Sequence, residues 1–69
     1  MDNPKQRVLE ELNELKERLI KLYKFLGSKD SYEIDPEQRN LLLLQATYMA
    51  NYKEILEKRL SIWRDDERK

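Results

Sequence analysis

The sequence predicts an all-α fold, an antiparallel two-helix hairpin that assembles as a homo-oligomeric helical bundle. Three observations carry that expectation. Apolar residues recur at alternating spacings of four and three, and the single glycine and the two prolines fall at the ends of those runs. The second run also carries more apolar surface than the first can cover.

The first helix is expected over about 4–26. Asn3 is placed to cap it, Pro4 suits the first helical position, and Gly27 stands where a left-handed C-terminal residue is commonly found. Val8, Leu12, Leu15, Leu19, Leu22 and Leu26 form a heptad seam of nearly three repeats. Glu14 with Arg18 and Glu17 with Lys21 stand four apart in the favourable order on the outer face. A polar connection over 27–35 follows, too short for anything but antiparallel neighbours. Asp35 then caps the second helix, Pro36 takes its first turn, Gln38 suits a capping box, and Ile34 a hydrophobic staple onto Leu41 or Leu42. The second helix is expected over about 36–63, with 64–69 a charged tail.

Helix 2 presents two apolar stripes. One runs through Leu42, Met49, Leu56 and Trp63, seven residues apart, with Gln45 and Tyr52 between them. The other holds Leu41, Leu44, Tyr48, Ile55 and Ile62, and the sequence leaves open which stripe meets helix 1. A helix apolar all round needs cover all round, so the leftover face is expected to meet another copy or another protein. Helix 2 should also overhang helix 1 by several ångströms, about 1.5 Å per extra residue, leaving Ile62 and Trp63 near the overhang as contacts for a second protomer. The expected oligomer interface is therefore Leu41, Leu44, Tyr48, Ile55, Ile62 and Trp63.

Composition points the same way. A chain of 69 residues forms one small domain with a marginal core, and such scaffolds usually add disulfides, a metal or a second chain. There is no Cys and no His, so disulfides and thiolate or imidazole metal sites are excluded, and no metal or cofactor is expected. Association remains, and a homo-oligomer, a dimer or higher, is expected. The 14 basic residues balance the 14 acidic ones, and with 41% of residues charged the pattern is that of a solvated helical face. A duplex nucleic-acid binder would carry a net basic stripe, which is missing, although a small phosphorylated ligand needs only two or three cations. The longest uncharged run, Asn40 to Tyr52, is thirteen residues and too short to span a bilayer, and the N-terminus lacks the apolar stretch of a signal peptide. A cytoplasmic protein is expected.

Catalysis is not expected. Without His or Cys, acid–base work would fall to exposed carboxylates, Lys or Tyr, and the hydroxyls of Ser28, Ser31, Thr47 and Ser61 have no imidazole base. One glycine cannot make a phosphate loop. The candidate ligand-binding residues lie on helix 2: Gln45, Tyr48, Asn51 and Tyr52, with Arg39 and Arg59. Tyrosine rings at an oligomer seam stack on bases, Gln or Asn reads a base edge, and Arg holds phosphate. The plainer reading is that the tyrosines fill core or interface, Gln45 fixes register, and Arg59 lays its stem along apolar surface. Around the connection, Lys24, Ser28, Lys29, Ser31 and Tyr32 face the N-terminus of helix 2, where anions are favoured, but Asp35 already occupies that cap.

The run Gln6-Arg7-Val8, Glu11-Leu12, Leu19-x-x-Leu22, Phe25-Leu26, then Glu37-Gln38, Leu42, Gln45, Met49, Tyr52, Ile55-Leu56 and Arg59-Leu60 resembles a family of small phage-encoded helical-hairpin proteins over nearly the whole chain. More distantly it is similar to the hairpins of phage sponges that sequester the cyclic nucleotide messengers of CBASS and Thoeris immunity. Those proteins work as symmetric oligomers that hold ligand between protomers without cleaving it. The resemblance implies a non-enzymatic protein that sequesters a cyclic nucleotide immune signal at protomer interfaces, in the cytoplasm of the host cell. No binding residue is carried over from it. The alternative is a protein–protein interaction module, an adaptor or inhibitor of a host or phage protein, with no small-molecule ligand.

Overall fold

The computed structural model describes residues 3–63, and the tail 64–69 lies outside the described residues. It is an antiparallel helical hairpin: α1 over Pro4–Leu26, a 3-10 turn over Lys29–Tyr32, and α2 over Pro36–Ser61. The molecule measures 55 × 19 × 15 Å, and the two helices of the described residues lie side by side.

Both helices start on side-chain caps. Asn3 Oδ1 accepts from the Lys5 amide at 2.9 Å and Asp35 Oδ1 from the Glu37 amide at 3.0 Å, with proline following each cap. Each cap satisfies one amide that has no partner inside its helix. The end of α1 departs from expectation. Gly27 is right-handed, with φ −87° and ψ 0°, because the chain tightens into the 3-10 turn instead of reversing through a left-handed residue. The last α1 carbonyls find other donors: the Gly27 amide reaches Tyr23 O at 3.0 Å and the Ser28 hydroxyl reaches Phe25 O at 2.6 Å.

Ser31 and Arg39 lock this corner. The Ser31 side chain is wholly buried, its hydroxyl facing the Leu26 and Ser28 carbonyls at 3.1 and 2.9 Å. Arg39, from the first turn of α2, donates through Nε to Ser31 Oγ and through Nη2 to Leu26 O, each at 3.4 Å. Its guanidinium also lies 4.4 Å from the centre of the Tyr32 ring. One side chain thus ties the end of α1, the turn and the start of α2 together.

The helices meet along complementary seams. On α1, Val8, Leu12, Leu15, Leu19 and Leu26 are buried and Leu22 is half-buried, as the heptad spacing anticipates. On α2 the seam facing α1 is Leu42, Ala46, Met49, Lys53, Leu56, Leu60 and Trp63, again spaced by four and three. Leu56 has no exposed surface and sits with Val8, Leu12 and Leu15 in a cluster flanked by Met49, Leu60 and Trp63. The long side chains therefore pack the end far from the turn, while Ala46, near the turn, is short. Of the two stripes the sequence leaves open, the one through Leu42, Met49, Leu56 and Trp63 faces α1, with Ala46 and Lys53 in the intermediate positions and Gln45 and Tyr52 exposed beside it.

Two further expectations are corrected. α2 ends at Ser61, whose hydroxyl turns back to Lys58 O at 2.8 Å, so Ile62 and Trp63 lie beyond the helix. Trp63 is half-buried against the α1 cluster, since it continues the α1-facing seam three residues after Leu60, so part of its surface goes to the hairpin core. Among the described residues the i,i+4 ion pair that closes is Lys53–Glu57 at 3.3 Å, rather than Glu14–Arg18 or Glu17–Lys21.

Truncating Leu56 to alanine should cost about 2–5 kcal/mol in urea unfolding, the range for a fully buried leucine. Gly27→Ala should be neutral or stabilising by up to about 1 kcal/mol in the same measurement. A Cβ there meets only the Tyr23 and Lys24 carbonyl oxygens, at 3.5 and 3.9 Å, and the backbone is already in the right-handed region.

Candidate ligand grooves

Helical geometry sorts the candidate residues onto three faces of α2. At 3.6 residues per turn, the stripe of Leu41, Leu44, Tyr48, Ile55 and Ile62 lies about 130° around the helix from the α1-facing seam. Each of its members is more than half exposed, from 51% at Leu44 to 67% at Tyr48. These residues contribute nothing to the hairpin core.

Between stripe and seam, on one flank, lie Gln45, Tyr52 and Arg59, all exposed. The Tyr52 hydroxyl donates to Glu11 Oε2 of α1, a tie between the helices. That hydrogen bond is the main cause of a phenol pKa raised above the ordinary tyrosine value, helped by burial and by the Glu11 charge and opposed by Arg59. A shallow groove runs beside it, lined by Arg7, Glu10, Glu11, Glu14, Arg18 and Tyr52, with acid and base mixed. Gln45 Nε2 approaches Met49 Sδ at 3.8 Å within its own helix.

The other flank is different in kind. A groove of about 490 Å³, within the size range of ligand pockets, opens between Tyr23, Leu26 and Gly27 of the α1 end and Arg39, Leu43, Ala46, Thr47, Ala50 and Asn51 of α2. It exists because Gly27, Ala46 and Ala50 are too small to fill the space beside Tyr23. A smaller, mainly apolar hollow of about 230 Å³ continues along the same flank, lined by Lys16, Leu19, Ile20, Tyr23 and Lys53. Tyr23 is half-exposed and borders both. Three cations rim this flank: Arg39 at the turn end, held by Ser31 and Leu26, and Lys16 and Lys53 at the other. Lys53 is partly committed to Glu57.

The structure brings Arg39 and Asn51 to this groove and leaves Tyr48, Tyr52, Gln45 and Arg59 elsewhere. Tyr23, Lys16 and Lys53 were not among the sequence candidates. The signal that could have found them is the 4–3 spacing carried back from Leu60 through Lys53 to Ala46, which fixes which side of α2 borders Tyr23. Among the described residues no group of acidic side chains is arranged to hold a metal ion, and no helix is long and apolar enough to cross a membrane.

The fold and its surface define a small all-helical hairpin with grooved flanks and one uncovered apolar face. The chain belongs to the Sequestin family, whose sequence profile matches residues 2–62. No curated protein and no solved structure matches it.

Because its folded-state pKa is raised, Tyr52 contributes stability that is fully present below the unfolded tyrosine pKa of about 10. That contribution is lost as pH rises through the higher folded value. The difference in urea midpoint between the native chain and Tyr52→Phe should hold steady from neutral pH to about pH 9 and shrink above it. A difference that grows with alkalinity would contradict the Glu11 hydrogen bond as its source.

Proposed function

We propose that this chain is a non-enzymatic binding protein that sequesters a small cyclic nucleotide signal of bacterial immunity at protomer seams, as phage sponges do. Membership of the Sequestin family carries the reading, since the name denotes sequestering. The flank groove supplies a chemistry that suits such a ligand: Tyr23 as a stacking platform, Arg39, Lys16 and Lys53 for phosphate, and the Asn51 amide for a base edge. The groove suggests holding rather than bond cleavage, because its polar side chains are the Asn51 amide, the Thr47 and Tyr23 hydroxyls and three cations, with no carboxylate among them. The ligand would be held and released intact. An origin in phage and action in the host cytoplasm belong to the same proposal.

One observation favours a second reading. The apolar stripe from Leu41 to Ile62 would also suit a groove on another protein, making the chain an adaptor or inhibitor with no small ligand. A thermal-shift screen of cyclic di- and trinucleotides and ADP-ribose-type signals separates the two. A bound ligand at a hundred times its Kd should add about 2.7 kcal/mol to stability, and chromatography should recover it unaltered. Tyr23→Ala should weaken binding by about 1–3 kcal/mol, the worth of one stacked base, and Lys16→Ala by less. No shift with any of these ligands would leave the protein-partner reading standing alone.

A further inference from the structure

The apolar stripe of α2 has the spacing of a second seam. Leu41, Leu44, Tyr48, Asn51, Ile55 and Ile62 follow the alternating three and four, with Lys58 filling the remaining position. We propose that this face pairs with the same face of a second copy running antiparallel, in the register that sets Leu44 against the partner's Ile55 and Tyr48 against the partner's Asn51. The proposal deepens the protomer-seam reading above and rests on it, because the partner's Tyr48 then closes the rim of the groove that Asn51 borders.

Charge selects the direction. Glu37 stands one turn before Leu41 on this side of α2, and Lys58 and Arg59 flank Ile55 and Ile62 at the other end. Parallel copies would set Glu37 against Glu37 and Lys58 against Lys58. Antiparallel copies set Glu37 beside the partner's Lys58 and Arg59, and oppose the two helix dipoles. Lys58 faces the partner's Leu41 in this register, where its stem covers apolar surface and its ammonium reaches outward toward Glu37.

The interior of the pairing is consistent with that direction. Between the charged ends, Asn40 to Tyr52 contains no ionisable side chain except the two tyrosine phenols, so like charges are not buried. Neither the Tyr48 hydroxyl nor the Asn51 amide makes a hydrogen bond within the described hairpin, and facing each other across the seam they supply a donor and an acceptor. With 14 charges of each sign, two copies meet without net repulsion.

The chain has no cysteine, so engineered thiols report the register cleanly. Leu44→Cys and Ile55→Cys proteins, both substituted at exposed positions, are mixed and oxidised. The expected product is a covalent dimer containing one of each, with neither variant cross-linking alone. The unmodified chain should sediment at about twice 8.5 kDa. Self-linking of Leu44→Cys alone would establish a parallel pairing and overturn the proposal, as would a single-copy mass at millimolar concentration. The ligand screen repeated on the cross-linked dimer keeps the two ideas apart. A cross-linked dimer that binds none of the nucleotides upholds the interface and sinks the sequestering function. A monomer that binds one does the reverse.

Discussion

Because Ala46 and Leu56 are turned onto α1, the leucines at 41 and 44 have to face away from it, and the surface of the whole molecule follows from that rotation. Two seams on one helix cannot both be satisfied by a single neighbour. The seam that α1 takes contains the residues able to fill space far from the turn, Leu56, Leu60 and Trp63, and nearer the turn it passes through the short Ala46 after Leu42. The same rotation therefore closes one end of the hairpin tightly and leaves the other end grooved.

The corner at Ser31 and Arg39 fixes the second coordinate, how the helices are joined. A buried hydroxyl and a guanidinium shared among Leu26, Ser31 and Tyr32 replace the left-handed glycine that commonly ends a helix. Arg39 consequently has two duties, closing the corner and presenting a cation at the groove. Its geometry is already set within the hairpin by those contacts.

Much of this was legible in the sequence and some was not, for reasons that lie in particular residues. α1 has one seam of large aliphatic side chains, so its buried face could be read directly. The caps at Asn3 and Asp35 were equally plain, because oxygen-bearing side chains before proline have few other uses. On α2 the α1-facing seam passes through an alanine and a lysine, neither of which announces burial, while the competing stripe is all large and apolar. Which of the two stripes meets α1 was consequently left open by the sequence. The groove was invisible for a related reason: it is defined by side chains too small to fill it, Gly27, Ala46 and Ala50, beside a tyrosine on the other helix.

Trp63 is the sole indole in the chain, and it rests against Val8, Leu12 and Leu15 at the end of the hairpin opposite the turn. Its fluorescence is thus a built-in gauge of whether the two free ends are zipped together. Fraying would shift its emission to longer wavelength even while the corner at Arg39 stayed shut, so the protein carries its own label for distinguishing partial opening from complete loss of structure.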